Sequence, residues 1–251
     1  MKLFSTKDRA YVFDRTVLIA RQDPRVTGGA IVGSRSTDTQ DSWSDIDITF
    51  GIKSNIDIKI VLNDWTRLLE DEFGMVHYFD LQSGSAIYRV ILFPNCLELD
   101  LSVVPEKDFG SRSPNFRLLF GTTVDRSNFP KPSVEELIGF GWHHIIHANA
   151  AIRRGRNWQA EYWISGARDN ILALQSMRFG EDARHARSVH LLPAALVAQF
   201  EDTLVRSTEI NELQRALKAV SMAFIEEVKA NNNTYLAQRL EESLMKCLMY
   251  K

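Results

Sequence analysis

The sequence predicts an α+β fold, in which a mixed β-sheet with flanking helices is followed by an all-helical bundle. Apolar and polar residues alternate at 46–52 and 97–104, which is the two-residue period of half-buried strands. Beyond residue 133 the apolar residues recur only at helical spacing. The segment 125–133 contains two prolines and mixed charges and separates these halves, so we expect domains at 1–125 and 126–251.

The strand-rich half opens with a predicted helix. Ser5, with Asp8 three positions later, has the form of a capping box, and apolar residues then recur at helical spacing up to Asp23-Pro24. An amphipathic helix is expected at about 58–69. Strands are expected at 28–32, 45–52, 75–79, 87–93 and 97–104. The turn residues Pro94-Asn95 join the last two strands into a hairpin.

The second half carries apolar residues at helical spacing throughout, and it contains no internal repeat or low-complexity tract. Helices are predicted at 134–153, 158–179, 192–207, 209–230 and 234–249. Since amphipathic helices bury their apolar faces against one another, we expect a bundle.

The composition limits the classes of partner. Of the 251 residues, 45% are hydrophobic and 25% are charged, which is typical of a globular protein. Thirty basic and 32 acidic residues leave a net charge of -2, too little positive charge to attract nucleic acid or anionic lipid broadly. Cys96 and Cys247 lack Cys-x-x-Cys spacing, which argues against a cysteine metal site and for a reducing compartment. With no apolar run as long as a membrane span, we expect a cytoplasmic protein without nucleic-acid or membrane partners.

Three acidic residues lie on the polar faces of two predicted strands: Asp45 and Asp47 on the first, Asp100 on the second. Packing the apolar faces against helices would bring these carboxylates together, where they repel one another unless a cation neutralises them. Oxygen ligands suit Mg²⁺, and two such ions could clamp both oxygens of a phosphoryl or nucleotidyl transfer. An isolated Asp-x-Asp pair is more often a solvated strand face. Here, however, Gly33-Ser34 ends the preceding strand, and glycine lets the backbone approach a phosphate.

The glycine–serine turn and the three acids follow one another in the order of a known motif. Gly33-Ser34, ten intervening residues, Asp45-Ile46-Asp47 and a later Leu99-Asp100-Leu101 resemble the nucleotidyltransferases of the DNA polymerase β superfamily. The resemblance covers roughly residues 5–110. It implies that Gly33 and Ser34 hold the tail of a nucleoside triphosphate. It also implies that Asp45 and Asp47 bind both divalent ions and that Asp100 completes the site.

Three further residues adjoin this motif. Glu98 is a rival for the third acid, because it lies on the same strand face one pleat before Asp100; the family's strand pattern favours Asp100. Arg35 and Ser44 flank the loop and are predicted to contact phosphate, with a merely solvated arginine as the equal alternative.

A helical bundle after such a domain is similar to the small-molecule branch of the superfamily, the aminoglycoside and lincosamide nucleotidyltransferases, whose bundle is of the kanamycin nucleotidyltransferase type. This similarity rests on architecture and length. It implies a Mg²⁺-dependent enzyme that moves AMP from ATP, or another nucleotide, onto a hydroxyl of a small molecule and releases pyrophosphate. The implied partners are a nucleoside triphosphate and a small acceptor such as an antibiotic, bound by a monomer or homodimer. A non-catalytic nucleotide-binding or regulatory module acting through the bundle is the alternative function.

The segment 158–169 mixes aromatic and ionisable residues. An acceptor hydroxyl needs a general base, and Glu161 is the first candidate, with Asp169 and Glu98 as alternatives. The competing hypothesis is that Glu161 and Arg168 form a structural ion network around a core of aromatic residues. The core residues would be Trp158, Tyr162 and Trp163.

Two other patterns favour structural roles. His143, His144 and His147 have helical spacing, but no glutamate follows His143 as an H-E-x-x-H metal motif requires, so we interpret them as packing or surface residues. Arg178 and His185 resemble the arginine–histidine pair of HEPN ribonucleases, at a loose spacing that arises readily by chance.

Overall fold

The computed structural model describes residues 3–249, which form two compact units: unit 1 extends to Pro130 and unit 2 begins at Lys131. The outermost residues of the two predicted domains, 1–2 and 250–251, lie outside the described range. Unit 1 contains the sheet and unit 2 contains helices, so the predicted α+β class is confirmed. Within the described residues, no helix combines the length and the apolar character needed to cross a bilayer.

Unit 1 is built from two helices and six strands. The helices are α1 (Thr6–Gln22) and α2 (Ile58–Phe73). The strands are β1 (Val26–Val32), β2 (Ile46–Ile52), β3 (His77–Ser83), β4 (Ala86–Leu92), β5 (Glu98–Pro105) and β6 (Phe116–Gly121). Ser5 and Asp8 form the capping box of α1 that their spacing predicts, because each side chain accepts a hydrogen bond from the other residue's backbone N–H.

The sheet has the strand order β3-β4-β5-β2-β1-β6. β2 and β5 are parallel neighbours at its centre, and the other pairings are antiparallel, which makes the sheet mixed. One face is buried in a core that it shares with α1 and α2, where Phe50 meets Trp65 edge to face at 5.2 Å. On the other face the Phe109 ring lies directly over Gly51, where a Cβ atom would come within 2.8 Å of it. The segment after β5 therefore covers part of the second face.

Unit 2 is helical throughout its described part. Its helices are α3 (Val134–Arg153), α4 (Asn157–Arg178), α5 (Ala194–Ala198), α6 (Ile210–Ala230) and α7 (Thr234–Met249). The apolar faces of α3, α4, α6 and α7 form one buried core, in which Ile164, Leu213 and Phe224 are fully enclosed. Four of these helices lie within about a residue of the positions that the periodicity predicts.

The predicted helix at 192–207 is wrong. Only Ala194–Ala198 is α-helical, and 3-10 turns flank it. The guanidinium of Arg215 on α6 donates to the carbonyls of Asp202 and Leu204 at 2.6 and 2.7 Å. These contacts with α6 lie in the part of 192–207 that is not α-helical.

The strand β6 has no counterpart among the predicted elements. It pairs with β1 at the edge of the sheet. The consecutive apolar residues Leu118, Leu119 and Phe120 interrupt the alternation that marks a half-buried strand. Pairing with β1, rather than local pattern, makes this segment a strand.

Candidate active site

Four carboxylates gather where β2 and β5 begin. Asp47 and Asp100 are paired in the register of the two parallel strands. Asp45 precedes β2 by one residue, and Glu98 is the first residue of β5. Ligand oxygens of Asp45, Glu98 and Asp100 all lie within 4.8 Å of one another, the one such group of three among the described residues. The structure thus brings Asp45 and Asp100 together with the rival Glu98, and it places Asp47 beside Asp100 in the strand register.

The apolar residues between these acids hold the register. Ile46, Ile48, Leu99 and Leu101 are buried in the core on the opposite face. Because side chains alternate between the two faces of a strand, a slip of one residue would place the acids in that core. The hydrophobic alternation therefore fixes the carboxylates on the helix-free face.

The cluster raises the pKa of Asp100 to about 6. Burial of its carboxyl is the main cause, and the nearby charges of Glu98 and Asp45 add to it. Asp100 Oδ1 is a buried atom with no hydrogen-bond partner among the described residues. A buried, unpartnered carboxylate oxygen among other carboxylates is the environment that a divalent cation neutralises. The acids present therefore fit a Mg²⁺ site.

Asp100 makes the stability of the metal-free protein depend on pH. Because its native pKa of about 6 exceeds the ordinary 3.8, the native state binds the proton more tightly than the unfolded state. This stabilisation is complete below pH 3.8 and is lost as the pH rises through about 6. In EDTA, Asp100→Asn should raise the melting temperature at about pH 7.5 and change it much less at about pH 4.5. Differential scanning fluorimetry at both pH values checks this, and equal shifts would contradict it.

The turn after β1 lies against Asp47. Gly33 has a φ of +67°, and a Cβ atom on it would lie 2.0 Å from Asp47 Oδ2. The chain then forms a 3-10 turn over Gly33–Thr37, in which the Ser36 hydroxyl donates to the Gly33 carbonyl at 2.7 Å. The predicted phosphate loop and the predicted metal ligand are therefore in direct contact, and only glycine leaves room for both.

Arg9 is a site residue that the sequence did not reveal. Its side chain is 5% exposed, and its guanidinium donates to the carbonyls of Asp41 and Ser44 at 2.6 and 2.7 Å. These bonds hold the segment that leads into Asp45. The available signal was an arginine on the otherwise apolar face of the first helix.

Arg35 and Ser44 both have structural partners. The Arg35 guanidinium stacks 3.6 Å from the centre of the Phe13 ring. The backbone carbonyl of Arg35 accepts a hydrogen bond from the Arg117 guanidinium. The Ser44 hydroxyl donates to Asp41 Oδ1 at 2.9 Å. The alternative that Arg35 is merely solvated is therefore wrong, because its side chain stacks on Phe13. Contacts of Arg35 or Ser44 with phosphate stay a prediction.

Glu161 and Asp169, the candidate bases, belong to α4 in unit 2. Glu161 accepts a hydrogen bond from the Ser165 hydroxyl at 2.7 Å. Within the described residues, Arg168 pairs with Asp169 at 3.9 Å rather than with Glu161. Trp158 and Tyr162 are 77% and 66% exposed, so the hypothesis that they belong to the core is wrong.

The three histidines pack around Trp163. Its ring centre lies 5.0 Å from those of His144 and His147, and His143 stacks against His147 at 4.3 Å. Burial lowers the pKa of His144, which favours the neutral ring. The arrangement agrees with the interpretation of these histidines as packing and surface residues.

Arg178 has a structural partner that explains it. Its guanidinium donates to both carboxylate oxygens of Glu227 at 2.9 and 3.0 Å, and Glu227 is 3% exposed. The resemblance to HEPN ribonucleases loses its support, since the Arg178 guanidinium is bound to Glu227.

Glu227→Ala should lower the free energy of unfolding by about 1–3 kcal/mol, because it removes a buried carboxylate that accepts hydrogen bonds from Arg178 and Asn231. Urea denaturation followed by far-UV circular dichroism measures this. Glu226→Ala is the matched control: its neighbouring carboxylate is 72% exposed and pairs with Lys229 at the surface. Equal destabilisation by the two variants would contradict a stabilising role of the buried Glu227 carboxylate.

Comparisons with known proteins add little to this geometry. Neither a protein-family model nor a curated protein matches the chain. Among solved structures it is similar to an aminoglycoside 6-adenyltransferase from Bacillus subtilis, with 14% identity and a TM-score of 0.42 over 99% of this chain and 100% of that one. A likeness of this degree assigns neither activity nor substrate to the present chain.

Proposed function

We propose that the protein is a Mg²⁺-dependent nucleotidyltransferase that moves AMP from ATP onto a hydroxyl of a small molecule. The observation that carries this proposal is the cluster of Asp45, Glu98 and Asp100, together with Asp47, which pairs with Asp100 in the strand register and lies against the Gly33 turn. Paired carboxylates next to a close backbone approach suit a triphosphate and its divalent ions. A net charge of -2 favours a small acceptor over a polynucleotide.

In this proposal Asp45 and Asp47 would hold the ion on the triphosphate, and Asp47 and Asp100 the ion at the attacking oxygen. The bound ions would supply charge neutralisation for the triphosphate and the developing oxyanion. Gly33 leaves room for the triphosphate beside Asp47 because it has no side chain. Holding both reactants in place then provides most of the acceleration.

The transfer needs a group that takes the acceptor's proton. A bond forms between the acceptor oxygen and the α-phosphorus, the bond to pyrophosphate breaks, and the proton passes to a carboxylate. Glu161 is the first candidate, since it is half-buried, and within the described residues its one hydrogen-bond partner is the Ser165 hydroxyl. Asp169 is the second candidate, since Arg168 already lies within ion-pair distance of its carboxylate.

Radiolabelled ATP tests the proposal directly. The protein is incubated with α-labelled ATP, Mg²⁺ and a panel of hydroxyl-bearing acceptors that includes aminoglycosides and lincosamides. Transfer of label together with pyrophosphate release, lost in EDTA, is the expected result. Calorimetry with ATP and Mg²⁺ distinguishes the alternative, because binding without turnover across the panel would favour a non-catalytic nucleotide-binding module. Absence of ATP binding would reject both.

A further inference from the structure

A cavity of about 180 Å³ lies within unit 1, beside the acid cluster. Its floor includes Thr49 of β2, Ser102 of β5 and Tyr88 of β4. These residues lie in one row across the sheet, because Thr49 pairs with Ser102 and Ser102 pairs with Tyr88. Every residue that lines the cavity belongs to unit 1.

The row that forms this floor is adjacent to the row of acids. Thr49 and Ser102 each follow an acid by two residues, Asp47 on β2 and Asp100 on β5. Residues two apart on a strand point to the same face and lie about 6.7 Å apart along it. The floor of the cavity therefore lies on the face that carries the carboxylates, two residues further along each strand.

The floor offers hydroxyl groups that are only partly used. Thr49 and Ser102 are both buried, and their hydroxyl oxygens lie 3.1 Å apart, so that one donates to the other. Each hydroxyl has one donor and two acceptor positions. After their mutual bond, one O–H donor and several lone pairs are left for a ligand.

The walls combine aromatic rings with charged groups. Phe109, Phe116 and Phe129 line the cavity, and Arg112 stacks 4.0 Å from the centre of the Phe129 ring. At the rim Arg126 is paired with Asp108, which also accepts a hydrogen bond from Ser85. Aromatic faces and arginine guanidinium groups are the side chains that stack on and hydrogen-bond to nucleic-acid bases.

We propose that this cavity binds the base of the nucleoside triphosphate, an inference that rests on the proposed function. Its volume of about 180 Å³ leaves room for one flat ring system. The partly used hydroxyls face the polar edge of the base, and the phenylalanine rings face its apolar surface. The ribose then spans the distance to the α-phosphate at Asp47 and Asp100.

Nucleosides without phosphate test the cavity by itself. Binding of adenosine, guanosine, cytidine and uridine is measured by saturation-transfer NMR and calorimetry on the full chain. Ser83→Trp places a large ring at the cavity's exposed edge, and Gln82→Trp places the same ring on the opposite face of the same strand. We expect Ser83→Trp to weaken the best nucleoside by at least about tenfold and Gln82→Trp to leave its affinity unchanged. Thr49→Val, which removes a floor hydroxyl while keeping the shape, should weaken it by a smaller factor.

Inorganic tripolyphosphate with Mg²⁺ probes the acid cluster separately. The affinity for tripolyphosphate should be the same in wild type, Ser83→Trp and Gln82→Trp. Equal affinities would support a base pocket distinct from the phosphate site. Equal nucleoside affinity in the two tryptophan variants, or no nucleoside binding by wild type, would overturn the base pocket and leave the transfer reaction standing. If the wild-type protein does not bind tripolyphosphate, the proposed function itself loses support. That outcome is independent of whether nucleosides bind the cavity, so the two failures can be told apart.

Discussion

Asp47→Ala is expected to abolish nucleotidyl transfer, lowering the rate by at least about 10³-fold, which is about 4 kcal/mol of transition-state stabilisation. Asp47 is the acid that both lies opposite Asp100 and contacts the Gly33 turn. In the proposed site it would be a ligand of both ions, so that its loss would remove charge neutralisation from the attacking and the leaving oxygen together. Initial rates of label transfer from α-labelled ATP measure the effect.

The fold should survive this change, because Asp47 lies on the helix-free face and outside the hydrophobic core. Glu70→Ala is the matched control, since Glu70 is an exposed acid of α2 whose side chain faces solvent. It should transfer label at the wild-type rate. Wild-type activity in Asp47→Ala would remove the basis of the proposed function, whereas an unfolded variant is recognised by its circular dichroism.

The acid cluster could be predicted because the information is local. Alternation assigns Asp47 and Asp100 to polar strand faces. Since Ile48 and Leu101 are buried in the core, the neighbouring acids must point to the opposite face of the sheet. Alternation does not say which strands are neighbours or in what register. The pairing of Asp47 with Asp100 comes from the parallel contact of β2 with β5, a contact between segments about fifty residues apart.

The features that were missed depend on long-range contacts. Arg9 is separated by more than thirty residues from the carbonyls that it binds, so its role is visible only in the folded chain. The same holds for Arg215, which binds two carbonyls in the part of 192–207 that is not α-helical. Trp158 shows the reverse case. A large aromatic residue predicts a core position by its type, yet its side chain lies on the exposed face of α4.

Gly33→Ala has the second largest expected effect, because it changes Asp47 without altering a carboxylate. An alanine at a φ of +67° costs about 1–2 kcal/mol, and its Cβ atom would overlap Asp47 Oδ2. Either the turn or the Asp47 side chain must move. Since a misplacement of about 1 Å in a catalytic group costs on the order of 10²-fold, we expect transfer to fall by about that factor.

Gly74→Ala separates backbone strain from displacement of Asp47. Gly74 has the same φ of +67° in the same unit, and a Cβ atom there meets only Pro94 Cγ at 3.8 Å, an ordinary contact. Both variants should lose stability in thermal melts, Gly74→Ala at least as much because its ψ of 162° lies in a region almost confined to glycine, whereas only Gly33→Ala should lose transfer and tripolyphosphate binding. If the two variants lose activity equally, strain in the fold explains the loss. If neither loses activity, the turn at Gly33 does not hold the triphosphate beside Asp47.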